Sequence, residues 1–99
     1  MSDLRLDYIY HTFGRERQIV KLREETQELL DALDGFIQGT DTAKHVAEEL
    51  ADVQLVAEQL MAHKVINRIE VTRTKTRKIR RTLSRIKSGY YKELNHGDQ

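Results

Sequence analysis

Apolar residues recur at steps of three and four along most of the chain, which is the spacing of one face of an α-helix. The first stripe predicts a helix over about residues 15–36 and consists of Ile19, Leu22, Leu29, Leu33 and Phe36. The second predicts a helix over about residues 42–62 and consists of Val46, Leu50, Val53, Ala57 and Leu60. Two glycines and several polar residues between them predict a loop over residues 35–42, where Asp41 or Thr42 can cap the next helix.

A third stripe predicts a helix over about residues 65–88. Its steps alternate between four and three, as in a heptad seam: Val65, Ile69, Thr72, Thr76, Ile79, Leu83, Ile86 and Tyr90. The β-branched run at residues 71–76 would suit a strand on propensity alone. The unbroken heptad favours a helix, which Gly89 would end.

These elements predict an all-α helical bundle in a single domain over residues 1–99, with a core of about residues 15–90. Residues 1–14 form an aromatic lead-in that ends near Gly14, and residues 92–99 form a flexible polar tail. The chain has 99 residues, no proline and 38% hydrophobic content. Lack of proline favours long helices, but so small a domain buries little surface. We therefore expect another copy of the chain to complete the bundle, as a homodimer or homotetramer.

Several classes of protein are excluded or disfavoured by composition. The chain has no cysteine, which excludes disulfides, cysteine–zinc sites and thiol catalysis. No apolar run approaches the length of a membrane span, and the N-terminus lacks the apolar region of a signal peptide. We expect a cytoplasmic protein that does not associate with membranes.

The net charge of +1 conceals a division of the chain. Residues 1–60 carry 13 acidic and 6 basic side chains, whereas residues 61–99 carry 3 acidic and 11 basic ones. Such asymmetry indicates either that the halves neutralise each other or that each serves a charged ligand.

Two acidic pairs stand out within the first half. Glu25 and Glu28 are three residues apart on the first predicted helix, and Glu49 and Asp52 are three apart on the second. Residues at this spacing are neighbours on one helix face, where like charges are destabilising unless something compensates them. A hard divalent cation compensates well, because Mg²⁺ prefers oxygen ligands.

Chance also produces such pairs in a helical chain with 16 acidic residues, and a charge run is commonly only a solvated face. The position of Glu49 on its predicted helix argues against that interpretation for this one of the four carboxylates. Glu49 falls inside the apolar arc of its helix, where an isolated carboxylate is costly, and Glu25 lies at the border of the apolar arc of the first helix. If the two helices pack antiparallel, the four carboxylates converge.

The two blocks resemble the signature of the MazG family of all-α nucleoside triphosphate pyrophosphohydrolases. That signature is Glu-x-x-Glu, a spacer, and Glu-x-x-Asp, often with a doubled glutamate at each start. Here Glu24-Glu25-Thr-Gln-Glu28 precedes Glu48-Glu49-Leu-Ala-Asp52, with 20 residues between Glu28 and Glu49, and the resemblance covers about residues 15–90. The related phosphoribosyl-ATP pyrophosphohydrolases share the fold and remain an alternative.

The resemblance implies a Mg²⁺-dependent hydrolase, with Mn²⁺ as an alternative ion, that converts a nucleoside triphosphate to monophosphate and pyrophosphate. Glu25, Glu28, Glu49 and Asp52 would be both metal ligands and catalytic residues, with Glu24 as a further candidate base. It also places phosphate-binding cations on the helix after the second block, at Lys75, Lys78 and Arg81. Beside the acidic strip, Lys21 and Gln18 are candidates for substrate binding, although a surface glutamine is the simpler interpretation of Gln18.

Two other functions stay open. Eight basic and no acidic side chains lie in residues 72–87, a footprint typical of nucleic-acid-binding proteins. No helix-turn-helix, zinc-finger or RNA-recognition signature accompanies it, and the acidic first half would repel a polyanion, so we expect no nucleic-acid partner. The third interpretation is a non-catalytic oligomeric interaction module. The four histidines, His11, His45, His63 and His96, show no ligand spacing.

Overall fold

The computed structural model describes residues 3–92, and every element within them is an α-helix. The helices are α1 (Leu4–Phe13), α2 (Arg15–Gln38), α3 (Ala43–Ala62) and α4 (Arg68–Lys87). The all-α prediction is confirmed, and the β-branched run at residues 71–76 lies inside α4. The polar tail predicted for residues 92–99 falls outside the described residues from position 93 onward, and so does His96.

The N-terminal segment differs from the prediction, because the lead-in expected at residues 1–14 contains the helix α1. The side chain of Asp3 accepts a hydrogen bond from the backbone N–H of Arg5 and caps the first turn. Gly14, at a φ of 86°, ends the helix. The sequence does carry the corresponding signal, since Leu6, Ile9 and Phe13 follow helical spacing, but ten residues offer too few periods to stand out.

The long helices were predicted to within a few residues of their ends. The helix α2 runs through Gly35 to Gln38 and ends at Gly39, whose left-handed φ of 82° suits glycine. Thr42 caps α3 by accepting a hydrogen bond from the backbone N–H of His45. The helix α4 begins later than predicted, because Asn67 is its N-cap and accepts from the backbone N–H of Glu70.

The chain divides into two compact units, Met1–Ile66 and Asn67–Gln99. In the first unit α2 packs along α3, and α1 contacts both. The ring of Tyr10 stacks on that of His63 at 4.0 Å between centroids, which ties α1 to the end of α3. The buried apolar residues of the described chain are Ala32, Val56 and Leu60. This small core agrees with the low hydrophobic content.

The second unit contains α4, none of whose residues is buried. Five positions of the predicted heptad seam are more than half exposed in the single chain: Ile69, Ile79, Leu83, Ile86 and Tyr90. An amphipathic helix gains most of its stability from covering its apolar face. None of the helices in residues 3–92 combines the length and the apolar character needed to cross a membrane.

Candidate metal centre

The pairing of α2 with α3 brings the two acidic blocks together. Near the start of α2, Gln18 donates from Nε2 to Oε1 of Gln59 near the end of α3, at 2.7 Å. The helices are therefore antiparallel, as the short loop between them required. About two to three turns further along α2, the face that carries Glu25 and Glu28 meets the face of α3 that carries Glu49 and Asp52.

The four carboxylates converge closely enough to hold a cation. Each offers one oxygen, and these four oxygens lie within 4.8 Å of one another: those of Glu25, Glu28, Glu49 and Asp52. Oxygens bound to one Mg²⁺ at its usual bond length are at most about 4.2 Å apart. The convergence predicted from sequence is thus confirmed, and only a small contraction separates it from a ligand set.

Burial distinguishes two of the four carboxylates from the others. Glu25 is only 5% exposed, more deeply buried than its place at the border of the apolar arc predicted. Glu49 is largely buried, whereas Glu28 and Asp52 are exposed. The Oε2 atoms of Glu25 and Glu49 are buried and have no hydrogen-bond partner in the described part of the chain. Since an unpartnered buried carboxylate oxygen is costly, this chemistry fits a bound cation.

Repulsion by neighbouring carboxylates contributes to raising the pKa values of the two exposed members of the cluster, Glu28 and Asp52. The negative charge of Glu25 is the largest cause that raises the pKa of Glu28 above its usual range, followed by partial desolvation. The pKa of Asp52 is raised first by desolvation and then by the charges of Glu25 and Glu49. A cation among these groups would oppose the repulsion and favour the ionised forms.

Each of the two least exposed carboxylates, Glu25 and Glu49, has a basic side chain as a neighbour on its own helix. On α2, Nζ of Lys21 lies 3.0 Å from Oε1 of Glu25, and this contact raises the pKa of the lysine. On α3, Nε2 of His45 lies 3.1 Å from Oε1 of Glu49. The other ring nitrogen, Nδ1, lies 2.6 Å from Oδ2 of Asp41.

Both ring nitrogens of His45 thus face carboxylate oxygens, which only accept hydrogen bonds. The hydrogen bond with Asp41 is the largest cause that raises the pKa of His45 and lowers that of Asp41. Sequence reasoning treated His45 as a scattered histidine and missed this bridge. The available signal was the spacing of Asp41, His45 and Glu49, each four residues from the next.

Gln18 is not the surface residue that the sequence suggested. Gln18 is 4% exposed and Gln59 is 1% exposed, and their side chains bond to each other between α2 and α3. Sequence reasoning did not single out Gln59. This buried amide pair links α2 to α3 about two turns from the acidic cluster.

We predict that Gln59→Met destabilises the fold by about 1–3 kcal/mol, because it leaves the amide of Gln18 buried without its partner. The double variant Gln18→Met/Gln59→Met should recover part of that loss, since both polar groups are then removed. Urea unfolding of the wild type, both single variants and the double variant measures the coupling. Additive effects of the two substitutions would show that the pair does not act as a unit.

The remaining candidates lie apart from the cluster or in the second unit. Glu24 is exposed and is not among the converging carboxylates. Lys75, Lys78 and Arg81 are exposed on α4, in the second compact unit. Within that unit Lys75 and Lys78 line one shallow groove, and Lys78 and Arg81 line another.

Comparison with known proteins adds no relative to this picture. No family model, no curated protein and no solved structure matches the chain. The proposed function therefore rests on the geometry of the acidic cluster and on the resemblance of its sequence blocks.

Proposed function

We propose that this chain is a Mg²⁺-dependent nucleotide pyrophosphohydrolase of the MazG type, with Mn²⁺ as an alternative ion. The observation that supports the proposal is the convergence of four helix-borne carboxylates, two of which have a buried oxygen with no hydrogen-bond partner among residues 3–92. Charge repulsion and desolvation make such a cluster unfavourable in the absence of a cation. The resemblance of both blocks to the MazG signature supplies the substrate class.

In this proposal Glu25, Glu28, Glu49 and Asp52 hold the ion. When bound, Mg²⁺ would bind phosphate oxygens and neutralise the charge that develops on the leaving pyrophosphate. Lys21 lies beside Glu25 with half of its side chain exposed, so it can contact an anionic substrate. Gln18 is buried and paired with Gln59, which favours a packing role over contact with a base or sugar.

The reaction is hydrolysis at the α-phosphorus. A carboxylate of the cluster, or the exposed Glu24 that immediately precedes Glu25 on α2, accepts a proton from water. The water oxygen forms a bond to the α-phosphorus, and the bond from that phosphorus to the bridging oxygen of the leaving group breaks. The products are a nucleoside monophosphate and pyrophosphate, with the electron pair of the broken bond retained by pyrophosphate.

Basic side chains of α4 are the proposed partners of the substrate's phosphates. Lys75, Lys78 and Arg81 would bind the phosphate chain, since lysine presents a point charge and arginine a two-pronged donor.

The proposed homodimer or homotetramer is supported by exposed apolar and small residues: the apolar positions of α4, and Ala47, Ala51 and Leu55 on α3. A nucleic-acid-binding role for the same basic helix is the rival, and a non-catalytic oligomeric module is the third alternative.

A panel of nucleotides tests the proposal. Purified protein with Mg²⁺ should release pyrophosphate and a monophosphate from at least one triphosphate or from phosphoribosyl-ATP, with products resolved by chromatography. Chelation of the metal should stop the release. Orthophosphate as the product would refute attack at the α-phosphorus. Absence of turnover together with salt-sensitive binding of DNA or RNA would favour the rival role of α4.

A further inference from the structure

The two buried carboxylates of the cluster are held in the same way on two different helices. In each, Oε1 contacts a side-chain nitrogen of the residue four positions earlier on the same helix: Nζ of Lys21 for Glu25 and Nε2 of His45 for Glu49. In each, the other oxygen, Oε2, is buried and has no hydrogen-bond partner within residues 3–92. Residues four apart share a helix face, so the helix itself sets these contacts.

From this geometry we infer that Lys21 and His45 are positioning residues, which fix one oxygen of Glu25 and Glu49 so that the other is presented to the cation. The inference rests on the proposed metal site and assigns roles to two residues around it. A free glutamate samples several rotamers, and a ligand that must be ordered on binding loses affinity. Donors to the outer oxygen of a ligand are known to orient it and to contribute to metal affinity.

The ring of His45 is also held at the nitrogen that does not contact Glu49. Oδ2 of Asp41 lies 2.6 Å from Nδ1 of His45, so the ring is held between two carboxylates. Asp41 lies in the loop between α2 and α3. Its backbone N–H donates to the carbonyl of Gly35, in the last turns of α2, at 3.1 Å. A Cβ on Gly35 would lie 2.9 Å from the Cβ of Asp41, so glycine allows this close approach. The chain of contacts therefore runs from the α2–α3 loop to a cluster carboxylate.

A purely electrostatic role of these side chains predicts the opposite effect on metal binding. Loss of the positive charge of Lys21 makes the site more negative, which should strengthen the binding of a divalent ion, and loss of the His45 ring should on electrostatic grounds leave binding unchanged or strengthen it. Removal of a positioning contact should weaken binding, by about 10- to 100-fold for outer partners of metal ligands. The direction of the change in affinity therefore separates the two roles.

The test measures binding of Mn²⁺ alone, without nucleotide, by electron paramagnetic resonance of the free ion. The variants are Lys21→Met and His45→Gln, and each has a matched control at an exposed position, Lys44→Met and His11→Gln. We expect the dissociation constant to rise at least about 10-fold in both variants, with little change in the controls. Lys21→Arg, which keeps a donor, should retain most of the affinity.

Circular dichroism of the metal-free variants checks that each is folded. If His45→Gln does not fold, Asp41→Asn releases the same ring from its other end and replaces it in the comparison. Unchanged or tighter binding of Mn²⁺ in folded variants would overturn the positioning roles while leaving the metal site in place. Failure of the wild type to bind Mn²⁺ would instead refute the proposed function itself.

Discussion

Replacement of Glu49 by glutamine should reduce nucleotide hydrolysis at least about 100-fold. Glutamine keeps the size of the side chain but removes the negative charge, and Glu49 is one of the two largely buried carboxylates in the cluster. Loss of an outer partner of a metal ligand typically costs 10- to 100-fold, and loss of a ligand should cost more. Initial rates of pyrophosphate release at saturating Mg²⁺ measure the effect.

Glu48→Gln is the matched control, because it makes the same chemical change one position earlier on α3, where the side chain is exposed. We expect this variant to retain most of the activity. Metal-free Glu49→Gln should unfold at the same urea concentration as the wild type or a higher one, since the substitution removes repulsion among carboxylates. Turnover at the wild-type rate by Glu49→Gln would remove Glu49 from the proposed site.

The parts of the fold that were predictable from sequence are those with several periods of a pattern. The predicted stripes of α2 and α3 each contain five apolar positions at helical spacing, and the predicted ends differ from the observed ones by at most two residues. The convergence of the acidic pairs was predicted on the condition that the two helices pack antiparallel across their short loop, and α2 and α3 meet that condition. By contrast α1 is only ten residues long, so its pattern was too short to recognise.

The parts that were not predictable depend on contacts between side chains. The burial of Glu25 and the hydrogen bond between Gln18 and Gln59 depend on how α2 packs against α3. The apolar periodicity of a single helix does not determine how that helix is rotated about its axis relative to its neighbour. The bridge from Asp41 through His45 to Glu49 has a local signal in its spacing. That spacing has meaning only once Glu49 is known to face the acidic cluster.

Mg²⁺ should stabilise the protein strongly, because it binds the folded cluster and has no equivalent site in the unfolded chain. At a concentration 100 times the dissociation constant, binding adds about 2.7 kcal/mol to the free energy of unfolding. For a domain of this size, that corresponds to a rise in Tm of about 10–20 °C. Differential scanning fluorimetry over a Mg²⁺ titration at fixed protein concentration and constant ionic strength measures the rise.

Constant ionic strength matters because any salt screens repulsion among the exposed carboxylates of Glu28 and Asp52. NaCl of equal ionic strength should therefore give only a small part of the shift. Glu49→Gln should lose most of the Mg²⁺-dependent shift, and Glu48→Gln should keep it. If Mg²⁺ and NaCl raise the Tm equally, the four carboxylates form a solvated acidic surface that holds no specific cation. The same result would favour the non-catalytic module, because a site that binds no metal cannot support the proposed hydrolysis.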